Sequence, residues 1–383
     1  MNKKFLWALS IGHSCTDMTQ GALPAILPYL VLAGGLGYAQ AAGLTFAVSL
    51  FASALQPFFG ILADRTTKTR IMPAGILLGG LGLSFIGFFP NNYWLMFTVA
   101  VISGIGVAAF HPEAARMANK VSGKRKGGNM SIFSVGGNFG FTLGPILATP
   151  ALIYFGLRGS ALLAIPAIIM FFIFLRIGPK MRDFSNLPEE GGINKQGEMK
   201  NEWGKFLLLS TVIVARSIIS HNTNTFLPLY WTTVLNQSKA EAGLALSLFF
   251  CCGAVATIIG GHLADRIGIN NIIKVGWILL IPTLFFLTKI TNPVGMWLIL
   301  IPLSFGLNLT NTPMILLGQK YLPVNIGFAS GITMGLGNSI GGITAPILGK
   351  YADLNGLTLT LNLLCILPLI GTVLTFAMKP PRQ

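Results

Sequence analysis

Apolar runs of close to twenty residues follow one another along the whole chain, separated by short polar stretches. A hydrocarbon layer about 30 Å thick takes about 20 residues of helix to cross. The runs therefore predict helices near 5–31, 41–63, 71–89, 93–117, 129–151 and 157–178, then near 205–231, 241–263, 272–289, 294–319, 328–349 and 357–378. The expected fold is an all-α integral membrane protein of twelve transmembrane helices in two six-helix pseudo-repeat bundles, 1–178 and 205–383. The segment between them, 179–204, holds five of the eleven acidic residues together with Lys, Gly and Pro, and reads as a partly disordered cytoplasmic linker.

Composition agrees with this pattern. Of 383 residues 53% are hydrophobic and only 10% charged, where a soluble domain carries about 25% charged residues. Among the 26 Lys and Arg, only Arg158, Lys239, Lys289 and Lys350 lie in one set of alternate loops, and only Arg216 lies inside an apolar run. The others lie at the chain ends and in the opposite loops, so the positive-inside rule puts both termini in the cytoplasm. The formal charge of +15 forms no continuous patch, which argues against nucleic-acid binding. Cys15, Cys251, Cys252 and Cys365 lie in apolar stretches without metal-ligand spacing and read as small buried residues. No cleavable signal peptide is evident, because the first apolar run is long and polar in its middle.

The two halves repeat. Gly60-Ile-Leu-Ala-Asp64-Arg65 returns as Gly261-His-Leu-Ala-Asp265-Arg266, Pro112 as Pro313, Pro145 as Pro346, Gly137-Asn138 as Gly337-Asn338 and Leu23-Pro24 as Leu227-Pro228. Agreement of register in several separate spans marks an internal duplication. Parallel six-helix repeats are a known transporter architecture.

On these residues the chain resembles the major facilitator superfamily, whose signature between helices two and three is similar to Gly60-Ile-Leu-Ala-Asp64-Arg65-Thr-Thr-Lys68-Thr-Arg70. Within it, His13-Ser-Cys-Thr-Asp17-Met-Thr-Gln-Gly-Ala-Leu-Pro24-Ala-Ile-Leu-Pro28 and Gly104-Ile-Gly-Val-Ala-Ala-Phe-His111-Pro-Glu113-Ala-Ala-Arg116 resemble the fosmidomycin-resistance branch of drug exporters. Two places depart from the pattern of proton-coupled exporters: Ala100 stands where many carry Arg, and Ala148 and Thr149 replace the last glycines of the fifth-helix antiporter motif. The resemblance implies that Asp64, Arg65 and Arg70, with Asp265 and Arg266, form charge-relay locks at helix ends. Simple topology-setting charges are the other reading.

Ionisable groups inside a bilayer are expensive and mark function. Asp17 lies 12 residues past Phe5, roughly 18 Å in at helical rise, with His13 one turn earlier on the same face. It is expected to carry protons or to form a fixed ion pair. His111, Glu113 and Arg116 are expected to form one network beside Pro112, which interrupts the helix ladder, as gate, relay or brace. Arg216 suits an anionic substrate through its bidentate fork and has Asp17 as a candidate partner. His221, Asn224, Asn308, Asn311, Asn138 and Asn338 are expected to bind substrate, with packing as the alternative for Asn138 and Asn338. The Gly-x-x-x-Gly spacings Gly140/Gly144 and Gly331/Gly335 let helices approach closely.

No phosphate-cradling loop, metal-ligand cluster or nucleophile–base pair is visible, so no metal or cofactor is expected and an ion gradient would drive the cycle. The expected function is proton-coupled export, by antiport and alternating access, of a small organic drug or anionic metabolite by a monomer in the lipid bilayer. Uptake symport or facilitated diffusion by the same fold is the alternative, and a membrane-embedded enzyme ranks below both.

Overall fold

The computed structural model describes residues 3–65, 70–122, 126–185, 200–333 and 337–380. Among these there is no strand. The chain forms two compact units, one of Met1–Leu36 and Gly43–Ile193, the other of Gly37–Ala42 and Asn194–Gln383.

In the first unit, α1 (Lys3–Gly34) runs through Pro24 and Pro28. The second expected span is broken at Leu55 into α2 (Tyr38–Ala54) and α3 (Gln56–Arg65), where Pro57 removes a backbone donor. There follow α4 (Ile71–Ser84), α5 (Tyr93–Val121), α6 (Lys126–Phe155) and α7 (Ala164–Ser185). The N-terminus of α5 is capped by Asn92, whose side chain accepts from Leu95 N. α5 continues unbroken through Pro112, so the interruption expected there is a missing hydrogen bond and not a helix end. α7 likewise passes through Pro179, and Met181 is fully buried beside Phe174 and Leu6. The helix thus reaches seven residues past its expected end because apolar contacts continue.

The second unit holds α8 (Trp203–Thr233), α9 (Lys239–Ile267), α10 (Ile269–Leu287), α11 (Pro293–Asn308), α12 (Asn311–Tyr321), α13 (Ile326–Gly331), α14 (Gly337–Asn355), α15 (Leu357–Leu363) and α16 (Ile366–Ala377). The tenth expected span is thus α11 and α12, and the twelfth is α15 and α16. Ser238 and Glu241 close a capping box on α9. Gly37–Ala42 group with this unit, where Tyr38 N and Ala39 N donate to the Asp353 carboxylate at 2.6 and 3.2 Å.

By length and composition, nine stretches of the described residues can cross a membrane, and one of them, Met130–Met181, is 52 residues long and holds both α6 and α7. α1 is long enough but is diluted by the polar run from His13 to Gln20, and α14 carries Lys350 and Asp353. Large apolar side chains such as Leu207, Phe172 and Val373 face outward, 69%, 62% and 70% exposed. A surface of that kind is stable against lipid, not against water.

The packing that matters most for chemistry is α1 against α6. Gly136, Gly140 and Gly144 recur every fourth residue, and a Cβ on Gly144 would lie 2.5 Å from Ala22 N. A Cβ on Gly21, facing back, would lie 2.5 Å from Phe141 O. In the second unit Gly341 stands against Ser217 O in the same manner, α14 on α8. The expected pair Gly331/Gly335 does not serve this role at Gly331, where an added Cβ meets nothing within 4 Å; Gly335 lies outside the described residues. Gly144→Val is accordingly expected to lower the Tm of the purified protein, at a cost of about 1–3 kcal/mol for overpacking, while Gly331→Ala leaves it unchanged. Equal Tm values for both variants would contradict the assigned contact.

Candidate functional site

α1 places His13, Asp17 and Gln20 within two turns, on neighbouring positions of one helix face. α5 brings His111 to them, and α6 supplies Phe133 and Gly137. His13 Nε2 lies 3.2 Å from Asp17 Oδ2, and His111 Nε2 lies 3.1 Å from Asp17 Oδ1. Gln20 Nε2 donates to Asp17 Oδ1 at 3.1 Å. The Asp17 side chain is 7% exposed, that of His13 12% and that of His111 21%. The His13 ring stacks on Phe133 at 4.2 Å and meets His111 edge-on at 5.0 Å.

Hydrogen-bond direction fixes much of the chemistry. His13 Nδ1 lies 2.8 Å from Phe133 O, and His111 Nδ1 lies 2.9 Å from Val107 O. A carbonyl only accepts, so each Nδ1 carries its hydrogen and donates. Each Nε2 then faces a carboxylate oxygen, and a hydrogen bond forms there only when a proton sits between them. The triad thus places one carboxylate between imidazoles from two helices, α1 and α5. The fold also assembles a set that sequence spacing did not show, since the donor atoms of His13, Asp17 and His111 all lie within 4.8 Å of one another, close enough to hold a metal ion as well.

Glu113 does not share a helix face with His111, because positions two apart on a helix point in different directions. Its carboxylate, 2% exposed, takes both contacts from Arg116 Nη2, at 3.0 and 3.1 Å. The single network expected of His111, Glu113 and Arg116 is therefore divided: His111 joins Asp17 and Val107, and Glu113 joins Arg116.

In the second unit Arg216 is buried in α8, and its Nη1 donates to Leu307 O of α11 at 3.2 Å. Among the described residues its Nε has no hydrogen-bond partner, and neither has His221 Nε2 or Asn224 Oδ1. Such buried polar atoms are scarce in folded proteins and retain bonding capacity. Asn308 Nδ2 donates to Ser304 O at 2.9 Å, against Gly253. Asn311 and Asn138 are half-buried. Sequence reading passed over Gln20, Phe133, Asn222 and Thr344. Asn222 is fully buried and donates to Thr344 Oγ1 at 2.9 Å, which joins α8 to α14. A polar amide in an apolar helix was the available signal. Arg70, Asp265 and Arg266 are exposed and form no ion pair among the described residues. The side chains of Asp64, Arg65 and Asn338 lie outside the described residues.

The profile of the Major Facilitator Superfamily matches residues 9–346. The chain belongs to the major facilitator superfamily. It is 28% identical to the fosmidomycin resistance protein of Escherichia coli (strain K12), over 97% of this chain and 92% of that one. It is also 28% identical to the uncharacterized MFS-type transporter YfnC of Bacillus subtilis (strain 168), over 98% and 92%. A crystal structure of a bacterial homolog of the human lysosomal transporter Spinster, inward-facing and occupied, superposes with a TM-score of 0.80 at 14% identity, covering 98% of this chain and 96% of that one. The peptide transporter POT gives 0.81 at 14%, covering 98% and 94%. The protein is thus a multi-pass membrane transporter of small molecules with this superfamily's all-α fold, and not an enzyme.

Gly137 tests the geometry of the site. A Cβ there would lie 2.6 Å from both Asp17 Oδ2 and His13 Cε1. Gly137→Ala is expected to part Asp17 from His13, costing about 1–3 kcal/mol for buried groups left unpaired. A lowered Tm together with impaired transport in reconstituted vesicles is the expected result.

Proposed function

We propose that the protein is a proton-coupled antiporter that exports a small organic drug or anionic metabolite by alternating access. The observation that carries this reading is the Asp17 carboxylate, held between His13 and His111 in the interior of an apolar helix bundle. With protons in both Nε2···O contacts the triad ties α1 to α5. When they leave, lone pairs face lone pairs and the tie is released. A conformational change that depends on proton occupancy is what coupling requires, because a ligand shifts an equilibrium only by binding its states unequally. Glu113 with Arg116 is the second proton-linked element proposed. The direction of transport is supported by relatives whose names are fosmidomycin resistance protein and multi-drug resistance efflux pump PmrA, the latter of Streptococcus pneumoniae at 25% identity over 72% of this chain and 69% of that one.

Arg216, His221 and Asn224 are the proposed substrate contacts, with Asn308, Asn311, Asn138 and Asn338 lining the path. Asp64, Arg65, Arg70, Asp265 and Arg266 are the proposed gate charges. In this reading the protein works as a monomer in a bacterial inner membrane with both termini cytoplasmic, an orientation that the distribution of Lys and Arg supports.

Substrate-induced proton flux in proteoliposomes, measured across a compound panel, tests the coupling. Asp17→Asn is expected to abolish uphill transport driven by a pH gradient and to keep substrate binding. Full active transport by this variant, or wild-type transport indifferent to the gradient, would replace antiport with facilitated diffusion. Arg216→Ala is expected to weaken binding of anionic compounds about tenfold to a hundredfold, the range for one hydrogen bond to a charged group, and to spare neutral ones. Equal losses for both classes would remove Arg216 from substrate recognition.

A further inference from the structure

The first unit carries a second feature that the transport reading does not use. Between the start of α1 and the first half of α7 lies a groove of about 400 Å³ lined by Lys3, Lys4, Trp7, Ala8, Ile11, Met170 and Ile173. On α1, Lys4, Trp7, Ala8 and Ile11 stand at i, i+3, i+4 and i+7, one continuous face. On α7 the same spacing continues from Ile173, past the end of the groove's lining, to Arg176 and Lys180, both exposed. Walls of the groove are open to the surroundings: Trp7 is 56% exposed, Ile11 51% and Ile173 38%. Among the described residues of these two helices the acids are Asp17, which is committed to the histidines, and Asp183, which lies one turn beyond Lys180 and has an interaction of its own.

We propose that this groove binds an anionic phospholipid, its acyl chain along Trp7, Ile11, Met170 and Ile173 and its headgroup phosphate among Lys3, Lys4, Arg176 and Lys180. A purely lipid-facing surface needs no cations. A purely topological cluster of cations needs no apolar furrow leading away from it. Here the two coincide at one end of the bundle, with the one ring of the groove, Trp7, at the level where indoles settle between hydrocarbon and headgroups. Cationic pockets between membrane helices recognise anionic headgroups in this way, and long Lys and Arg side chains reach outward from an apolar wall to do so. The volume is within the range of specific small-ligand pockets, about 300–1,000 Å³. Phosphatidylglycerol-type and diphosphatidylglycerol-type lipids have the required charge; zwitterionic lipids of equal chain length do not.

The test uses the full chain in neutral detergent and phospholipids brominated on the acyl chains, which quench nearby tryptophan. The Trp7 contribution is isolated by difference with Trp7→Phe. Brominated phosphatidylglycerol is expected to quench Trp7 at lower lipid concentration than brominated phosphatidylcholine, and each of Lys3→Gln, Lys4→Gln, Arg176→Gln and Lys180→Gln is expected to weaken the anionic lipid by about fivefold, the worth of one cation near an anionic headgroup. Phosphatidylcholine quenching should be unchanged in all four. Equal affinity for the two lipids, or preference that survives removal of all four cations, would overturn the proposal. Protection of Trp7 from the brominated lipid by soluble glycerol phosphate at similar concentration would also overturn it, since the site would then recognise free phosphate. None of these readouts involves transport, so the outcome is separate from that of the antiport reading.

Discussion

A carboxylate in the middle of a hydrocarbon layer must be neutralised and hydrogen-bonded within the protein, and that constraint organises the first half of this molecule. Asp17 meets it through His13 on its own helix, His111 on α5 and Gln20 one turn on. Each imidazole is in turn aimed by a backbone carbonyl, Phe133 O from α6 and Val107 O from α5. The arrangement requires α6 to lie unusually near α1. Glycines at 136, 137, 140 and 144 allow this, because a side chain at any of them would occupy the space taken by α1. Small residues at a membrane helix interface and a polar cluster at its centre are therefore two parts of one device.

The second half keeps the scaffold and changes the chemistry. Gly341 against Ser217 repeats Gly140 against Ser14. At the repeat position of Asp17 stands His221, whose Nε2 has no partner, and the neighbouring Asn222 joins α8 to α14 through Thr344. The first half pairs both of its buried carboxylates, Asp17 and Glu113, while the second half presents the buried cation Arg216 and amides with no carboxylate contact among the described residues. A duplicated fold with divided roles follows naturally: helix packing tolerates little change, while the polar residues it presents are free to diverge.

Several departures from the expected pattern have a common cause. Pro112 was expected to interrupt the ladder of its helix and the sixth span to end at 178, yet α5 passes through Pro112 and α7 through Pro179. In water a proline exposes a carbonyl and favours a break; in an apolar bundle the remaining bonds of the helix have no competing solvent and the helix continues. Conversely α2 ends at Ala54, just before Gln56-Pro57, and α11 ends at Asn308, at the polar stretch Asn308-Leu-Thr-Asn-Thr312, both inside spans expected to be continuous. Hydropathy averaged over a span measures affinity for lipid and smooths over such local breaks.

The sequence by itself determined the class of the protein, the approximate places of its apolar helices and the short roster of ionisable residues, because the bilayer imposes a length and an apolar composition that can be read locally. It also showed His13 and Asp17 as neighbours, since four residues make one helical turn. Which acid His111 would meet was decided only by tertiary structure. His111 and Glu113 are adjacent in sequence but point from different faces of α5, while His111 and Asp17 are distant in sequence and 3.1 Å apart. Contacts between helices depend on crossing geometry and on the glycines that set it, and no local spacing encodes that. The groove between α1 and α7 is of the same kind: its lysines and its tryptophan were legible singly, and their convergence required the packed bundle.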